Sequence, residues 1–242
     1  MIVYQLVVFD MAGTTVYDDG AVEAAFLGAA ESTGLRVDAE AIQARRGLSK
    51  TRVFRELWTL HGVTDQAETA RRADTSHTAF KAALGDWYAT RPARPTDGCV
   101  ECFETLRSQG MPIALTTGFD RTITDAILDR LGWLQGLDSK RVGDTQSVIQ
   151  ASVCSEDVEH GRPAPDMIRR AMSLLDVTDA SRVVKVGDTP ADLQAGRNAG
   201  CGLVLGVTNG SHTAAQLASH SNDGLLPSLR DLPSALDLRD HA

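Results

Sequence analysis

Apolar residues fill Leu6-Val7-Val8-Phe9 without alternation and stop at Asp10, where a small-residue stretch, Met11-Ala12-Gly13-Thr14-Thr15, begins. An unbroken run of this length reads as a strand buried on both faces, as strands of parallel sheets are. From residue 17 to about 95 the rhythm turns helical, with Ala-rich stretches at 21–31, 66–73 and 79–83. Val53, Phe54, Leu57, Trp58 and Leu60 form one apolar stripe there. Arg91-Pro92-Ala93-Arg94-Pro95 interrupts this block, and such a Pro-rich piece suits a return linker. Beyond it, elements alternate: a helix around 98–109, a strand at 112–117, a helix at 121–132, a helix near 164–175, a strand at 182–187, a helix at 190–199 and a strand at 202–207. The tail from about 221 is polar with scattered Leu and predicts a short terminal helix.

Strand–helix alternation implies an α/β fold, a Rossmann-like parallel sheet covered by helices. Residues 1–16 and 96–242 then make the core, and 17–95 a helical domain inserted beside Asp10. A chain of 242 residues with 43% hydrophobic and 23% charged residues has room for both and the balance of an ordinary globular protein. Its formal net charge of −8 argues against binding nucleic acid, which needs a basic footprint. No apolar run reaches membrane-spanning length and the first residues lead straight into a strand, so no membrane association and a cytoplasmic location are expected. Cys99 and Cys102 have C-x-x-C spacing but no second pair to complete a zinc site. Val100, Phe103 and Leu106 run through the same segment at helical spacing toward Gly110, which makes free, buried or half-buried thiols the expectation.

Asp10 stands at the carboxyl end of a strand, where open α/β sheets build their ligand sites. Val186-Gly187-Asp188-Thr189-Pro190-Ala191-Asp192 repeats the design near the other end of the chain. Two such acids together can hold a hard divalent cation through oxygens and leave room for a phosphate. Thr117 and Gly118 offer a hydroxyl and a backbone N–H at another strand end, and Arg162 a permanent forked charge. Each has a plainer reading: a turn aspartate, a common T-T-G turn, a helix-entry arginine before Pro163. Thr189 likewise reads as a helix N-cap.

Taken together, these motifs resemble the haloacid dehalogenase superfamily of aspartate-nucleophile phosphotransferases, and within it the phosphonatase branch. The resemblance spans nearly the whole chain. It implies that the helical insertion is a cap closing over Asp10, and that Asp10 attacks phosphorus to form an aspartyl-phosphate. It further implies Mg2+ held by Asp10, the Ala12 carbonyl and Asp188, with Asp192 orienting water or a ligand group, and phosphate bound by Thr117, Gly118 and Arg162. Most of the superfamily carries lysine at the place of Arg162, whereas phosphonatases carry arginine. Most of its phosphatases also place an acid two residues after the nucleophile, where this chain has Ala12 and phosphonatases too have alanine. Their leaving group is carbon, which needs an electron sink rather than a proton.

Arg46-Gly47-Leu48-Ser49-Lys50 resembles the Gly-Leu-x-Lys of phosphonatases, which makes Lys50 the candidate imine-forming lysine. Ser49 is placed to cap the helix that Lys50 opens, and the helix dipole with Arg46 would favour a neutral amine. A basic residue that only contacts substrate is the competing role for Lys50. The chain departs from the branch at Val53, where phosphonatases carry a proton-shuttling histidine, at Arg46 for methionine and at Phe119 for tyrosine. No cysteine lies within Tyr17–Ala21. Arg46 and Phe119 are thus candidate specificity residues, Arg46 favouring a substrate with an extra negative group. The expected activity is cleavage of a small phosphonate, phosphonoacetaldehyde first, to acetaldehyde and phosphate. A phosphate-monoester phosphatase of the phosphoglycolate type is the alternative, and a catalytically silent binding protein the third reading. The expected partner is a small phosphorylated or phosphonate substrate, with a homodimer as candidate assembly.

Overall fold

The structure, a computed structural model, describes residues 4–237 and divides the chain into two compact units. The first runs to Tyr17 and resumes at Ala93; the second is Asp18–Pro92.

In the first unit, β1 (Leu6–Asp10), β2 (Ile113–Thr117), β3 (Ala151–Cys154), β4 (Val183–Gly187), β5 (Leu203–Val207) and β6 (Gly224–Leu226) form one sheet. All pairings are parallel, in the order β3-β2-β1-β4-β5-β6. Every residue of β1, β2 and β4 is buried, which explains their largely apolar sequences. Alternate side chains serve opposite layers. Leu6 and Val8 join a cluster with Met167, Ile168 and Leu193, contributed by α7 (Asp166–Leu174) and α8 (Pro190–Ala199). Phe9 points the other way, its ring 5.2 Å from that of Phe103 on α5 (Cys99–Ser108), and Phe103 lies 5.2 Å from Trp133. Burying one such ring is worth about 1.5–3 kcal/mol. The α6 helix (Arg121–Arg130), capped by the Asp120 side chain, follows β2. The last elements of the described residues are α9 (Ala214–Ala218), β6 and α10 (Leu232–Ala235).

The second unit holds α1 (Ala21–Thr33), α2 (Ala39–Gln43), α3 (Lys50–Leu60) and α4 (Gln66–Thr90). Phe26, Phe54 and Phe80 pack as a trio, with ring centres 4.7–6.1 Å apart. Trp58 buries its indole and donates Nε1–H to Ser76 Oγ at 3.0 Å, which satisfies its one polar atom. Among the described residues, no helix is long and apolar enough to cross a membrane.

Several expectations need correction. The expected boundaries at 17 and 95 move to 18 and 92, because Tyr17 N donates to Arg94 O and the Arg94 guanidinium lies 4.2 Å from the Tyr17 ring centre. Val16 also bridges Pro95, so both crossing strands close within the sheet-bearing unit. Leu60 is 67% exposed and leaves the apolar stripe; it ends α3, one turn beyond the packed face. Val100 is exposed, and α5 buries Cys99 and Cys102 alongside Phe103 and Leu106 instead. All four cysteines are free and buried. Ser49 occupies the N-cap position of α3 but makes no side-chain bond to the first turn. β3 and β6 lie outside the expected strands, and the tail forms β6 before its short helix.

Candidate active site

Parallel pairing lines up the carboxyl ends of β2, β1 and β4, and the connections reverse direction between β1 and β4, the place where open sheets leave a crevice. Asp10 ends β1, Asp188 follows β4, and Thr117 lies one residue beyond Asp10's register partner on β2. Carboxylate oxygens of Asp10, Asp188 and Asp192 all lie within 4.8 Å of one another, and all three residues are buried.

Arg162 bridges two of them, donating from Nη1 to Asp10 Oδ1 at 2.6 Å and also to Asp192 Oδ1. Lys185, fully buried on β4, places Nζ 2.9 Å from Asp192 Oδ1. It also donates to Thr116 Oγ1 at 3.3 Å and Val186 O at 3.2 Å. Thr189 caps α8 and gives its hydroxyl to Asp192 Oδ2 at 2.6 Å. Thr189 is thus both the helix cap and a partner of Asp192. With both its oxygens engaged, Asp192 serves as the counter-ion that holds Arg162 and Lys185. Asp188 is held differently, by hydroxyls and a backbone N–H: Thr14 Oγ1 at 3.1 Å, Ser211 N at 2.7 Å and Ser211 Oγ at 2.7 Å.

Electrostatics follow from this division. Burial pushes the Asp10 carboxyl above its ordinary range, against the pull of Arg162, and the neighbouring Asp192 and Asp188 add to the rise. Burial and the Asp192 charge likewise raise Asp188. Burial works against ionised Asp192 too, but Arg162 and Lys185 outweigh it and hold it low. Three buried carboxylates face two buried cations, leaving one formal negative charge over. A set of hard oxygens with surplus negative charge fits a divalent cation.

Thr117 Oγ1 accepts from Phe119 N at 3.2 Å, which leaves its own proton to donate. Phe119 is buried, and its carbonyl accepts from Ser155 N and Oγ. Gly118 is buried between them, and Ala12 sits in the turn after β1. Lys50 and Arg46 lie in the helical unit. Lys50 is 6% exposed, with Nζ 5.5 Å from the Phe26 ring centre. Arg46 pairs with Asp18 at 2.9 Å and Glu23 at 3.6 Å, so its charge is already answered within its own unit.

The haloacid dehalogenase-like hydrolase family model matches residues 4–200. The chain belongs to that family. It is 33% identical over 214 residues to a phosphonoacetaldehyde hydrolase of Bacteroides fragilis, covering 84% of this chain and 76% of that one. Among solved structures it resembles a phosphonoacetaldehyde hydrolase-like protein from Oleispira antarctica, with TM-score 0.79, 19% identity and coverage of 97% and 91%. It also resembles a predicted phosphoglycolate phosphatase from Haemophilus somnus, with TM-score 0.72, 17% identity and coverage of 96% and 97%. As a haloacid dehalogenase-like hydrolase, the chain carries three site residues that its motifs do not single out: Thr14, Lys185 and Ser211. A lysine inside the apolar run Val183-Val184-Lys185-Val186 is a legible anomaly, since a buried lysine requires a partner. Thr14 and Ser211 carry no comparable signal.

Proposed function

We propose that the chain is a Mg2+-dependent phosphonatase-type hydrolase that converts phosphonoacetaldehyde and water to acetaldehyde and phosphate. The observation that carries this reading is that, among the described residues, the carboxyls clustered with the nucleophile are already engaged. Ala12 cannot donate a proton, Asp188 is engaged by Thr14 and Ser211, and Asp192 by Arg162, Lys185 and Thr189. No carboxyl of this cluster is left to protonate an alkoxide leaving group, whereas a carbon leaving group delocalised into an imine needs none there. The similarity to the phosphonoacetaldehyde hydrolase of Bacteroides fragilis supports the same choice.

In this reading the Lys50 amine condenses with the aldehyde, releasing water and forming an imine. Asp10 then attacks phosphorus; the C–P bond breaks and its electron pair passes into the imine, giving an enamine. Protonation at carbon and hydrolysis return acetaldehyde and free Lys50, while a second water cleaves the aspartyl-phosphate. Arg162 holds Asp10 in place and faces the phosphoryl group, which Thr117 and Gly118 meet from β2. Asp10, the Ala12 carbonyl and Asp188 would hold Mg2+, whose charge offsets repulsion between Asp10 and the phosphoryl oxygens. Asp192 keeps Arg162 placed. Phe119 shapes the β2 end of the site, and Arg46, paired with acids, is left out of the substrate contacts.

The test is trapping. Borohydride with phosphonoacetaldehyde should inactivate the enzyme and add mass at Lys50, and Lys50→Arg should lose both. Retained activity in Lys50→Arg with no lysine trapped would transfer the reading to a phosphate-monoester phosphatase. One observation favours that alternative: Val53, one turn after Lys50, is 1% exposed and offers no proton shuttle. Comparing phosphate release from phosphonoacetaldehyde and phosphoglycolate decides between them.

A further inference from the structure

The loop that follows β5 returns to Asp188. Ser211 places both its backbone N–H and its hydroxyl on one oxygen, Oδ2, each at 2.7 Å. Thr14 Oγ1 takes Oδ1 at 3.1 Å. Behind the serine, the buried His212 lies with Nδ1 3.0 Å from Ser211 Oγ. Proton accounting orders this chain. An ionised carboxylate only accepts, so the serine proton goes to Asp188, and the serine oxygen accepts from Nδ1–H of His212. A carboxylate offers about four lone-pair positions. Ser211 claims both on Oδ2 and Thr14 one on Oδ1, which leaves a single open position, on Oδ1.

Two glycines make the approach feasible. A Cβ at Gly210 would come within 2.4 Å of Asp188 Cβ and 2.5 Å of the Gly13 carbonyl. Gly13 has φ +89°, and a Cβ there would meet Asp188 Oδ2 at 2.4 Å. Both contacts are far inside van der Waals distance, so backbone from two loops closes on Asp188 only because neither residue has a side chain.

We propose that Ser211, backed by His212, is a positioning residue of the metal site: it turns Asp188 so that Oδ1, and not Oδ2, meets the cation. This rests on the metal reading of the site and not on the identity of the substrate. Partners that orient a ligating carboxylate are typically worth about 10–100-fold in metal affinity.

The experiment is direct Mn2+ binding to the whole 242-residue chain, by electron paramagnetic resonance of free Mn2+ or by calorimetry, without substrate. Ser211→Ala should weaken binding by about 10-fold, and Ser211→Thr, which restores a hydroxyl, should recover most of it. If Ser211→Ala fails to fold, Ser211→Cys, close in shape and a weak donor, carries the same expectation. A loop anchor without a role at the metal would lower the metal-free melting temperature and leave Mn2+ affinity unchanged, and that result overturns the proposal. So does a Ser211→Thr protein that binds as weakly as Ser211→Ala. Wild type taking up no Mn2+ would bring down the metal reading itself, an outcome separate from equal binding by wild type and variant.

Discussion

Replacing Lys185 by methionine should destabilise the metal-free protein by about 3–5 kcal/mol, although the substitution keeps the volume and improves the hydrophobicity of a central strand. Lys185 is fully buried on β4, with Nζ 2.9 Å from Asp192 Oδ1. At an effective dielectric of about 20, that separation gives a gross attraction of about 6 kcal/mol, before the cost of desolvating either ion. When Lys185 is removed alone the cost of burying Asp192 remains while part of the attraction that offset it is lost, leaving Arg162 as its remaining ion-pair partner among the described residues. Asp192→Asn in the same background should then relieve part of the loss, giving a coupling energy of about 1–3 kcal/mol in the double-mutant cycle. Urea unfolding of the four proteins in chelator measures all the terms, and matched m-values would show that the denatured state is unchanged. A loss below about 1 kcal/mol for Lys185→Met, or additive effects in the cycle, would refute the view that Lys185 balances the charge of the site.

Asp10→Asn should abolish turnover, by about 10³-fold or more, with folding retained, since the amide is isosteric but barely nucleophilic; steady-state phosphate release checks this. Burial raises both the Asp10 and the Asp188 carboxyl from their ordinary values, so the folded protein holds their protons more tightly than the unfolded chain. Metal-free stability should therefore fall as pH rises from about 4 through those raised values, while the lowered Asp192 contributes stability that is lost only in acid, below about 4. Under the proposed Mg2+ reading the cation competes with these protons, so at one fixed concentration, about 100-fold above the Kd at pH 8, it should raise Tm by about 5–10 °C at pH 8 and by less at pH 5.5; equal shifts in calorimetry at the two pH values would refute the link. Ala12→Asp should raise phosphoglycolate hydrolysis relative to phosphonoacetaldehyde cleavage, toward the 10²–10⁴ range that general acids supply as an order of magnitude. An unchanged ratio of the two rates would mean that leaving-group protonation comes from elsewhere.

Four of the six strands are legible in the sequence, because a strand covered by helices on both faces must be apolar at every position, and β1, β2, β4 and β5 are nearly so. β3 and β6 escape because they are four and three residues long, β3 carrying Ser152 mid-strand and β6 opening on Gly224. Asp10 and Asp188 announce themselves for a local reason: each ends an apolar run, and small residues follow at the point where a ligand can approach. Helical faces are less legible, as Leu60 and Val100 show, since an apolar residue at the end or edge of a stripe packs only if a neighbour reaches it.

Tertiary structure alone decided what each acid does. Asp188 and Asp192 are four residues apart and alike in sequence, yet one is held by hydroxyls and a backbone N–H and the other by two cations. That difference comes from Thr14, Arg162, Lys185 and Ser211, which lie far apart along the chain and meet only where the parallel strands end together. Local sequence determines which residues can reach a strand end, because burial and turn formation act over a few residues. The charge state and the partners of a buried group depend on everything packed around it, and that is a property of the fold.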